Sequence, residues 1–277
     1  MARGSEHDAT DDERIAPTGH YTAYVWHHLG MPNAELFVTP LGRALFWGFR
    51  VSGEGLLTWA PFAPSMTQYL DYRHRAFERA LEQSEPDLVV ELGAGLSRRG
   101  VTWASRGTRY VEVDLAPMVR AKQRLIDARS SAALRAAIRG RLEHVARDVL
   151  SEDFGDWLAE ALRGARRPAV IAEGVLTYFT PADRRRLVGT IARALAGRGV
   201  FAAELRVRGS GASAGALGAL RGAIRLVTRG RGAGEEEPSH EASRALFEGA
   251  GLVDVRAVEP PPGAPLPARV WVGRGGA

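Results

Sequence analysis

A glycine-rich turn after a short apolar run is the sequence feature with the clearest chemical meaning. The run Val89–Leu92 is strand-like, Glu91 is acidic, and Gly93 and Gly95 follow one residue apart. Glycine tolerates unusual backbone angles and lets the main chain approach a ligand closely. In an open parallel sheet, ligands bind beyond the carboxyl ends of the strands. We therefore predict that Glu91, Gly93 and Gly95 line a cofactor pocket.

Two classes of cofactor use such a turn, and the next residues favour one of them. The dinucleotide pattern G-x-G-x-x-G needs a third glycine, because a pyrophosphate rests on the helix N-terminus. Arg98 stands at that position here, and the next glycine is Gly100. S-adenosylmethionine (SAM) has no phosphate and needs only a tight turn with an acid before it. The turn favours SAM, and an NAD-dependent oxidoreductase remains the alternative.

Further acidic and aromatic residues follow the other apolar runs. Asp114 lies about 20 residues beyond the turn, where a carboxylate can accept hydrogen bonds from both ribose hydroxyls; its alternative role is to cap the next helix. Asp148 is expected to accept from the adenine amino group, or simply to lie in a turn. Glu173 is expected to hold the cofactor or orient the substrate, and Tyr178 to shape the methyl-acceptor site.

Arg73 falls in the apolar stripe of a predicted helix, together with Leu70 and Phe77. A guanidinium on a buried face is costly unless it is paired. The carboxylate of a cofactor would be a bidentate partner. The alternatives are an extended side chain at the rim of the protein, or a pair with an internal acid such as Glu91.

Strand-like and helix-like stretches alternate from Pro86 onward, which is typical of a parallel sheet covered on both faces. The clearest helix has Thr180 and Asp183 as a capping pair and ends at Gly197. A helix near Glu241–Ala250 precedes two strands that predict a C-terminal hairpin. The predicted strands are Leu88–Leu92, Tyr110–Val113, Leu142–Val145, Ala169–Ala172, Val200–Ala203, Leu252–Val258 and Ala268–Val272.

The chain has 277 residues, 45% of them hydrophobic, which suits one catalytic domain with an N-terminal extension. We predict a disordered tail at 1–16, a helical cap at 17–84 and a cofactor-binding domain at 85–277, in which 207–238 is a candidate lid insertion. No cysteine is present, which excludes disulfides and thiolate metal sites. No apolar run reaches the roughly 18 residues of a membrane span, and the polar N-terminus is unlike a secretory signal. We expect a cytoplasmic protein that binds no membrane.

The formal net charge of +5 is carried almost entirely by arginine, since Lys122 is the only lysine. These arginines are scattered and are not interleaved with aromatic residues, so we predict no nucleic-acid partner. The Arg-rich and Ala-rich composition favours a bacterial source.

The aromatic-rich segment from about His20 to Pro64 supplies the candidates for a general base. A phenol or alcohol acceptor would profit from a base within hydrogen-bond reach. His20, His27 and His28 are candidates, and His20 is grouped with Tyr178 as catalytic. Adjacent histidines rarely converge on one ion and no acidic cluster accompanies them, so we predict no metal. Aromatic residues that would suit a flat substrate, or simply pack the cap, are Tyr21, Tyr24, Trp26, Phe46, Trp47 and Phe49.

Four motifs together resemble the leucine carboxyl methyltransferase family, and more closely its bacterial branch of polyketide O-methyltransferases. These motifs are Arg73–Glu78, Val90–Ser97, Glu112–Leu115 and Ala172–Tyr178. The resemblance implies a class I SAM-dependent methyltransferase with a Rossmann-like α/β fold. Its seven-stranded, mostly parallel sheet would carry a C-terminal antiparallel hairpin and an N-terminal helical cap.

The resemblance also implies roles for individual residues. It assigns Arg73 to the methionyl carboxylate, Gly93 to the turn and Asp114 to the ribose. Asp148 and Val149 would lie on the adenine side and Glu173 on the inner wall. Two departures are present, since Val149 stands where leucine is frequent and Ser97–Gly100 replaces an Asp-Thr-Arg continuation. The full set of expected cofactor-binding residues is Arg73, Glu91, Gly93, Gly95, Asp114, Leu115, Asp148, Val149 and Glu173.

The sequence thus predicts an O-methyltransferase that uses SAM and acts on a carboxylate or hydroxyl of a small molecule, such as a polyketide or other secondary metabolite. Two further alternatives are a tRNA-modifying methyltransferase of the same broad family and a non-catalytic RNA-binding module. The acceptor and the oligomeric state are left open.

Overall fold

The computed structural model describes residues 17–51, 66–208, 236–260 and 268–276. The predicted tail at 1–16 and most of the candidate lid at 207–238 lie outside the described residues. The described α-helices, numbered here in chain order, are α1 (Pro17–His28), α2 (Pro40–Phe49), α3 (Met66–Ser84), α4 (Arg99–Ser105), α5 (Ala116–Arg129), α6 (Ala132–Ile138), α7 (Phe154–Ala161), α8 (Pro181–Leu195) and α9 (His240–Glu248).

Seven strands form one sheet in the order β3-β2-β1-β4-β5-β7-β6. Strands β1 to β5 are parallel, and β7 runs antiparallel to both of its neighbours. The predicted seven-stranded, mostly parallel sheet with antiparallel C-terminal strands is confirmed. The strands are β1 (Leu88–Leu92), β2 (Arg109–Asp114), β3 (Leu142–Ala146), β4 (Pro168–Ala172), β5 (Val200–Arg206), β6 (Leu252–Ala257) and β7 (Ala268–Gly275).

Helices cover both faces of the sheet, and alternate strand residues belong to different cores. Val89 and Ile171 pack in the core with α1 to α6. Val90 and Val170 pack on the opposite face with α7 to α9. By the same alternation, the face under α3, α4 and α5 carries three buried acids. These are Glu91 on β1, Glu112 on β2 and Glu204 on β5.

The structure agrees closely with the helix signals and extends several predicted strands, among them the seventh, which continues to Gly275. The hydroxyl of Thr180 accepts from the amide of Asp183 at 3.1 Å, so the predicted cap of α8 forms. The helix ends at Ala196, in the left-handed region with φ of 48°, directly before Gly197. The predicted fifth strand ended at Ala203, but β5 continues to Arg206.

A buried arginine joins the elements that meet below the glycine turn. Arg99 opens α4 and is fully buried. Its guanidinium donates to Glu91 of β1 at 2.6 Å and to Glu173, which follows β4, at 2.5 Å. Its Nε lies 3.3 Å from Glu78 of α3, and its guanidinium lies 5.5 Å from the centre of the Phe77 ring. Three acids from three parts of the chain therefore share one cation.

Burial by itself favours the uncharged forms of Arg99 and Glu173, but the attraction between opposite charges keeps them ionised. Burial opposes the charge of Arg99, yet Glu91 and Glu173 outweigh it and hold the pKa of the guanidinium well above its ordinary value. Glu173 is likewise buried, and Arg99, His74 and Arg73 hold its pKa well below the ordinary value. Arg99 and Glu173 thus keep their charges and depend on each other, whereas burial raises the pKa of Glu91 although the charge of Arg99 opposes the shift.

Replacing Arg99 by methionine should destabilise the protein by about 3–5 kcal/mol, because Glu91 and Glu173 would stay buried without their main partner. The control is Arg106→Met, at the exposed end of the same helix, which should cost less than about 0.5 kcal/mol. Urea unfolding followed by circular dichroism measures both changes. A loss below about 1 kcal/mol for Arg99→Met would show that the cluster does not hold these elements together.

Candidate active site

A cavity of about 510 Å³ opens at the carboxyl edge of the sheet. Its floor comes from the segments that follow β1, β2 and β4 and from the end of β5, while α1, α2 and α3 close it from above. Each parallel strand ends at this edge, so one turn or one strand residue from each element reaches the same space. The cavity therefore lies where the sequence predicted a cofactor pocket.

The glycine turn is shaped so that only glycine fits at its first position. Gly93 has a φ of 61°, in the left-handed region, and its amide donates to the carbonyl of Val113 at 2.8 Å. A Cβ added at Gly93 would lie 2.7 Å from a methyl group of Val175. Gly95 also has a positive φ, of 50°, and faces the cavity. The turn thus brings bare backbone to the cavity wall.

Asp114 connects the first two loops of this wall. One carboxylate oxygen accepts from the amide of Gly95 at 2.7 Å, and the other accepts from the amide of Leu115 at 2.7 Å. Burial raises the pKa of Asp114, although these two amides work against the shift. The alternative role as a helix cap does not hold, because Leu115 is the N-cap residue of α5 and no side chain caps that helix. Leu115 is 58% exposed and also lines the cavity.

Arg73 enters the cavity from α3 and meets two acids. Its Nε donates to Glu173 at 2.9 Å, and one terminal nitrogen lies 3.3 Å from Glu204. Of the alternatives raised for Arg73, pairing with an internal acid is observed, but the partners are Glu173 and Glu204 instead of Glu91. Burial lowers the pKa of Arg73, while the negative charge of Glu173 limits the change.

His74, next to Arg73 on α3, is buried below the cavity. Burial, and then the charge of Arg99, lower its pKa to about 4, so the ring is neutral at pH 7. The Nδ1 atom of the neutral ring accepts from a terminal nitrogen of Arg99 at 2.9 Å. The ring also packs at a tilt against Trp26, with the two ring centres 4.6 Å apart. His74 therefore supports the cavity wall from behind and does not face the space within it.

The other half of the cavity is largely apolar. The helices α1, α2 and α3 line it with aromatic and aliphatic side chains. The phenol hydroxyl of Tyr178 lies 3.4 Å from the side-chain hydroxyl of Thr18 on α1. This contact joins the segment after β4 to the helix above. The apolar lining residues are Tyr21, Trp26, Leu45, Phe49, Met66, Leu70 and Met118.

The structure brings eight of the predicted site residues to the cavity and leaves three outside it. His20 is buried in α1, where its Nδ1 lies 2.8 Å from the hydroxyl of Thr39. Asp148 is exposed and accepts from the amide of Leu150 at 2.9 Å, as the turn alternative expected. Val149 lines a different surface cavity, beside α7 and α8. The eight residues at the cavity are Arg73, Glu91, Gly93, Gly95, Asp114, Leu115, Glu173 and Tyr178.

The residues at this cavity that were not identified from the sequence include three with polar side chains on α3 and β5. Glu204 and Arg206 lie on the part of β5 beyond the predicted strand, and Tyr69 lies on α3 one turn before Arg73. A signal was present, because Ala202, Glu204 and Arg206 alternate on one face of a strand whose other face is apolar. The predicted strand ended at Ala203, so this alternation was not recognised.

The described residues show neither a metal-binding cluster nor a membrane-spanning helix. No group of three or more His, Asp or Glu side chains in the described ranges is arranged to hold a metal ion. None of the helices in that part of the chain has the length and apolar character needed to cross a membrane.

Solved structures with similar folds include several methyltransferases. A candidate methyltransferase from Thermobifida fusca is 18% identical, with a TM-score of 0.57 and coverage of 94% of both chains. A candidate O-methyltransferase from Nostoc punctiforme is also 18% identical, with a TM-score of 0.51; the match covers 79% of this chain and 60% of the Nostoc protein. The methyltransferase domain of a bacterial Hen1 protein is 14% identical, with a TM-score of 0.52 and coverage of 74% of this chain and 99% of that one. At these sequence identities, the structural similarity establishes only the fold.

The family assignment comes from the amino-acid sequence. Comparison with curated proteins finds no match. The family model described as leucine carboxyl methyltransferase, however, matches residues 32–192, which is more than half of the chain and includes the glycine turn, Asp114 and Glu173. The chain therefore belongs to the leucine carboxyl methyltransferase family, and it is a methyltransferase that depends on SAM.

Proposed function

We propose that this enzyme transfers the methyl group of SAM to an oxygen of a small, flat and largely apolar molecule, such as a polyketide or another secondary metabolite. The acceptor oxygen belongs to a hydroxyl or a carboxylate. The observation that carries the proposal is the division of one cavity into a polar half, with Arg73 and Asp114, and an apolar half beside it. We further propose that the enzyme acts in the cytoplasm, in keeping with a chain that has no cysteine.

The residues of the polar half fit SAM. The carboxylate of Asp114 accepts two backbone amides, and a carboxylate has about four acceptor sites, so each oxygen can still accept a ribose hydroxyl. Gly93 allows the turn to pack closely, because a side chain at this position would collide with Val175. Arg73 carries a planar guanidinium that suits the carboxylate of the methionyl group. Leu115, which is largely exposed at the cavity wall, offers an apolar surface to the adenine.

SAM supplies a methyl group on a positively charged sulfur, which is reactive enough to be transferred without a metal or a covalent intermediate. The protein's task is to align the acceptor oxygen and to exclude water. The helices α1 and α2 and the contact between Thr18 and Tyr178 close the cavity above the sheet edge. Tyr178 lines the same cavity, where we propose that it limits the position of the acceptor.

A screen of acceptors tests the proposal. The enzyme is incubated with SAM that carries a deuterated methyl group and with flat hydroxy- and carboxy-aromatic compounds, and the products are analysed by mass spectrometry. We expect label on an oxygen of at least one small molecule. Label on tRNA, with none on any small molecule, would contradict the proposal in favour of an RNA-modifying role.

Replacing Asp114 by asparagine should weaken SAM binding at least about tenfold, because a charged acceptor for the ribose is lost. Titration calorimetry measures the dissociation constant. The control Asp127→Asn, on the exposed side of α5, should leave it unchanged. Equal affinity in Asp114→Asn and the wild type would remove Asp114 from the binding site.

Replacing Arg73 by methionine should weaken SAM binding about tenfold or more, since the carboxylate of the methionyl group loses its cationic partner. The matched probe is 5′-methylthioadenosine, which contains the nucleoside and sulfur of SAM but has no carboxylate. Its affinity should be the same in wild type and Arg73→Met. If both ligands lose affinity equally, Arg73 acts only by holding the wall in shape.

A further inference from the structure

Arg206 is a cation in the cavity whose guanidinium has no acidic partner. It is the last residue of β5 and lines the cavity. Within the described parts of the chain, none of its nitrogens makes a hydrogen bond or an ion pair. Only its Nε is enclosed by protein, so the two terminal nitrogens remain accessible from the cavity. Such a guanidinium is an available binding group for an anion, above all for a carboxylate.

The acids next to Arg206 have partners of their own. The Oε1 of Glu204 accepts from the hydroxyl of Tyr69, and its Oε2 lies 3.3 Å from a terminal nitrogen of Arg73. Glu173 is paired with Arg73 and, from below, with a second arginine. Neither acid forms an ion pair with Arg206 in the described ranges, so its terminal nitrogens are left for a bound molecule.

The position of Arg206 is fixed by its surroundings. Its carbonyl accepts from the amide of Glu237 at 2.8 Å, and it pairs with Ala268 of β7. Its guanidinium lies 5.9 Å from the centre of the Tyr69 ring, a distance at which a cation and an aromatic ring attract each other. The hydroxyl of that ring donates to Glu204, so the ring is held in turn. A cation held in this way loses little conformational freedom when it binds a ligand.

The order of the strands places Arg206 on the acceptor side of the cavity. Asp114 ends β2, the glycine turn follows β1, Glu173 follows β4 and Arg206 ends β5, and these four strands are adjacent in this order. Neighbouring strands are about 4.8 Å apart, so Arg206 lies roughly 14 Å along the sheet edge from Asp114. With the ribose of SAM at Asp114 and its methionyl group at Arg73, as proposed above, Arg206 lies beyond the cofactor. An anion bound there belongs to the acceptor.

We infer that Arg206 recognises the methyl acceptor through a carboxylate and thereby selects an apolar carboxylic acid over its neutral analogues. This inference rests on the proposed function and deepens it, because it names the reacting group and the residue that binds it. One carboxylate oxygen accepts from the terminal nitrogens of Arg206, and the other forms the bond to the methyl carbon. The bond between that carbon and sulfur breaks and its electron pair stays on sulfur, which yields a methyl ester and S-adenosylhomocysteine. The carboxylate is already ionised, so no proton moves and no base is required.

The charge of such an acceptor explains why the cavity needs a further cation. Glu173 and Glu204 line the same cavity and would repel an acidic molecule, and Arg206 offsets this repulsion. Methylation converts the carboxylate into a neutral ester, which loses the ion pair with Arg206 and therefore leaves more readily than the acid would. The aromatic side chains Trp26 and Phe49 suit the apolar body of the molecule.

Two matched pairs of probes test the inference. The pairs are 2-naphthoate with 2-naphthamide and 3-phenylpropanoate with 3-phenylpropanamide. The two members of each pair have the same apolar body and differ in the charge of the head group. Each compound is titrated by calorimetry, at neutral pH, into enzyme saturated with S-adenosylhomocysteine. For the wild type we expect at least one acid to bind at least about tenfold more tightly than its amide.

The variant Arg206→Gln should lose this preference, because the acid should bind about tenfold more weakly and the amide as before. Its affinity for SAM should stay within about twofold of the wild type, since Arg206 lies beyond the cofactor. Arg206→Lys keeps the charge without the planar fork and should recover part of the preference. The control Arg185→Gln, at an exposed position of α8, should behave as the wild type in every measurement.

Kinetics and product chemistry test the same residue during turnover. With an acceptor found by the screen above, Arg206→Gln should raise KM for the acceptor about tenfold and leave KM for SAM unchanged. The labelled product should release its methyl group as methanol in dilute alkali, because a methyl ester is hydrolysed there and a methyl ether is not. A label that survives alkali would overturn the inference and leave the proposed function standing.

Further results would also overturn the inference. These are equal affinity for acid and amide in the wild type, no binding of either acid, an undiminished preference in Arg206→Gln, or an equal loss of SAM affinity in that variant. If Arg206→Gln does not fold, the wild type decides, because phenylglyoxal modifies accessible guanidiniums and peptide mass spectrometry measures its rate at Arg206. Slower modification with 2-naphthoate than with 2-naphthamide supports the inference, and equal rates contradict it. Failure of the wild type to bind SAM would instead contradict the proposed function.

Discussion

Buried carboxylates on one face of the sheet are the constraint on which the remaining structure depends. Glu91, Glu112 and Glu204 all point from strand positions toward the helices that cover that face. An ionised group in such a place is very costly unless cations and hydrogen bonds accompany it. Arg99 compensates Glu91 at 2.6 Å, and Lys122 compensates Glu112 at 2.7 Å. The cation next to Glu204 is Arg73, at 3.3 Å.

This constraint links the shape of the cavity to the order of the chain. Arg99 follows the glycine turn directly, so its pairs with Glu91 and Glu173 hold the turn against both β1 and the segment after β4. Arg73 then meets Glu173 from above. One carboxylate therefore connects a cation below the cavity to a cation within it. Because the contacts converge on Glu173, the floor of the cavity and the helix α3 are positioned by the same group.

The sequence predicts what depends on neighbouring residues and misses what depends on distant ones. The strands, the Thr180 cap and the Gly93 turn follow from local patterns, and the family resemblance adds the position of Arg73. Arg99 could not be identified in this way, because its partner Glu173 is 74 residues distant and a charged residue after a turn usually faces solvent. Glu204 was missed because the predicted strand ended one residue before it, at Ala203. His20 looked suitable by type, but a short contact with Thr39 holds it outside the cavity.

Methyl transfer from SAM abolishes a positive charge, which limits how a protein can assist it. Ionised carboxylates beside the sulfur would stabilise the starting state more than the transition state, because the positive charge on sulfur has already decreased in the transition state. The pairing of Glu91 and Glu173 with Arg99 avoids this, since each carboxylate is balanced by a cation on the side away from the cavity.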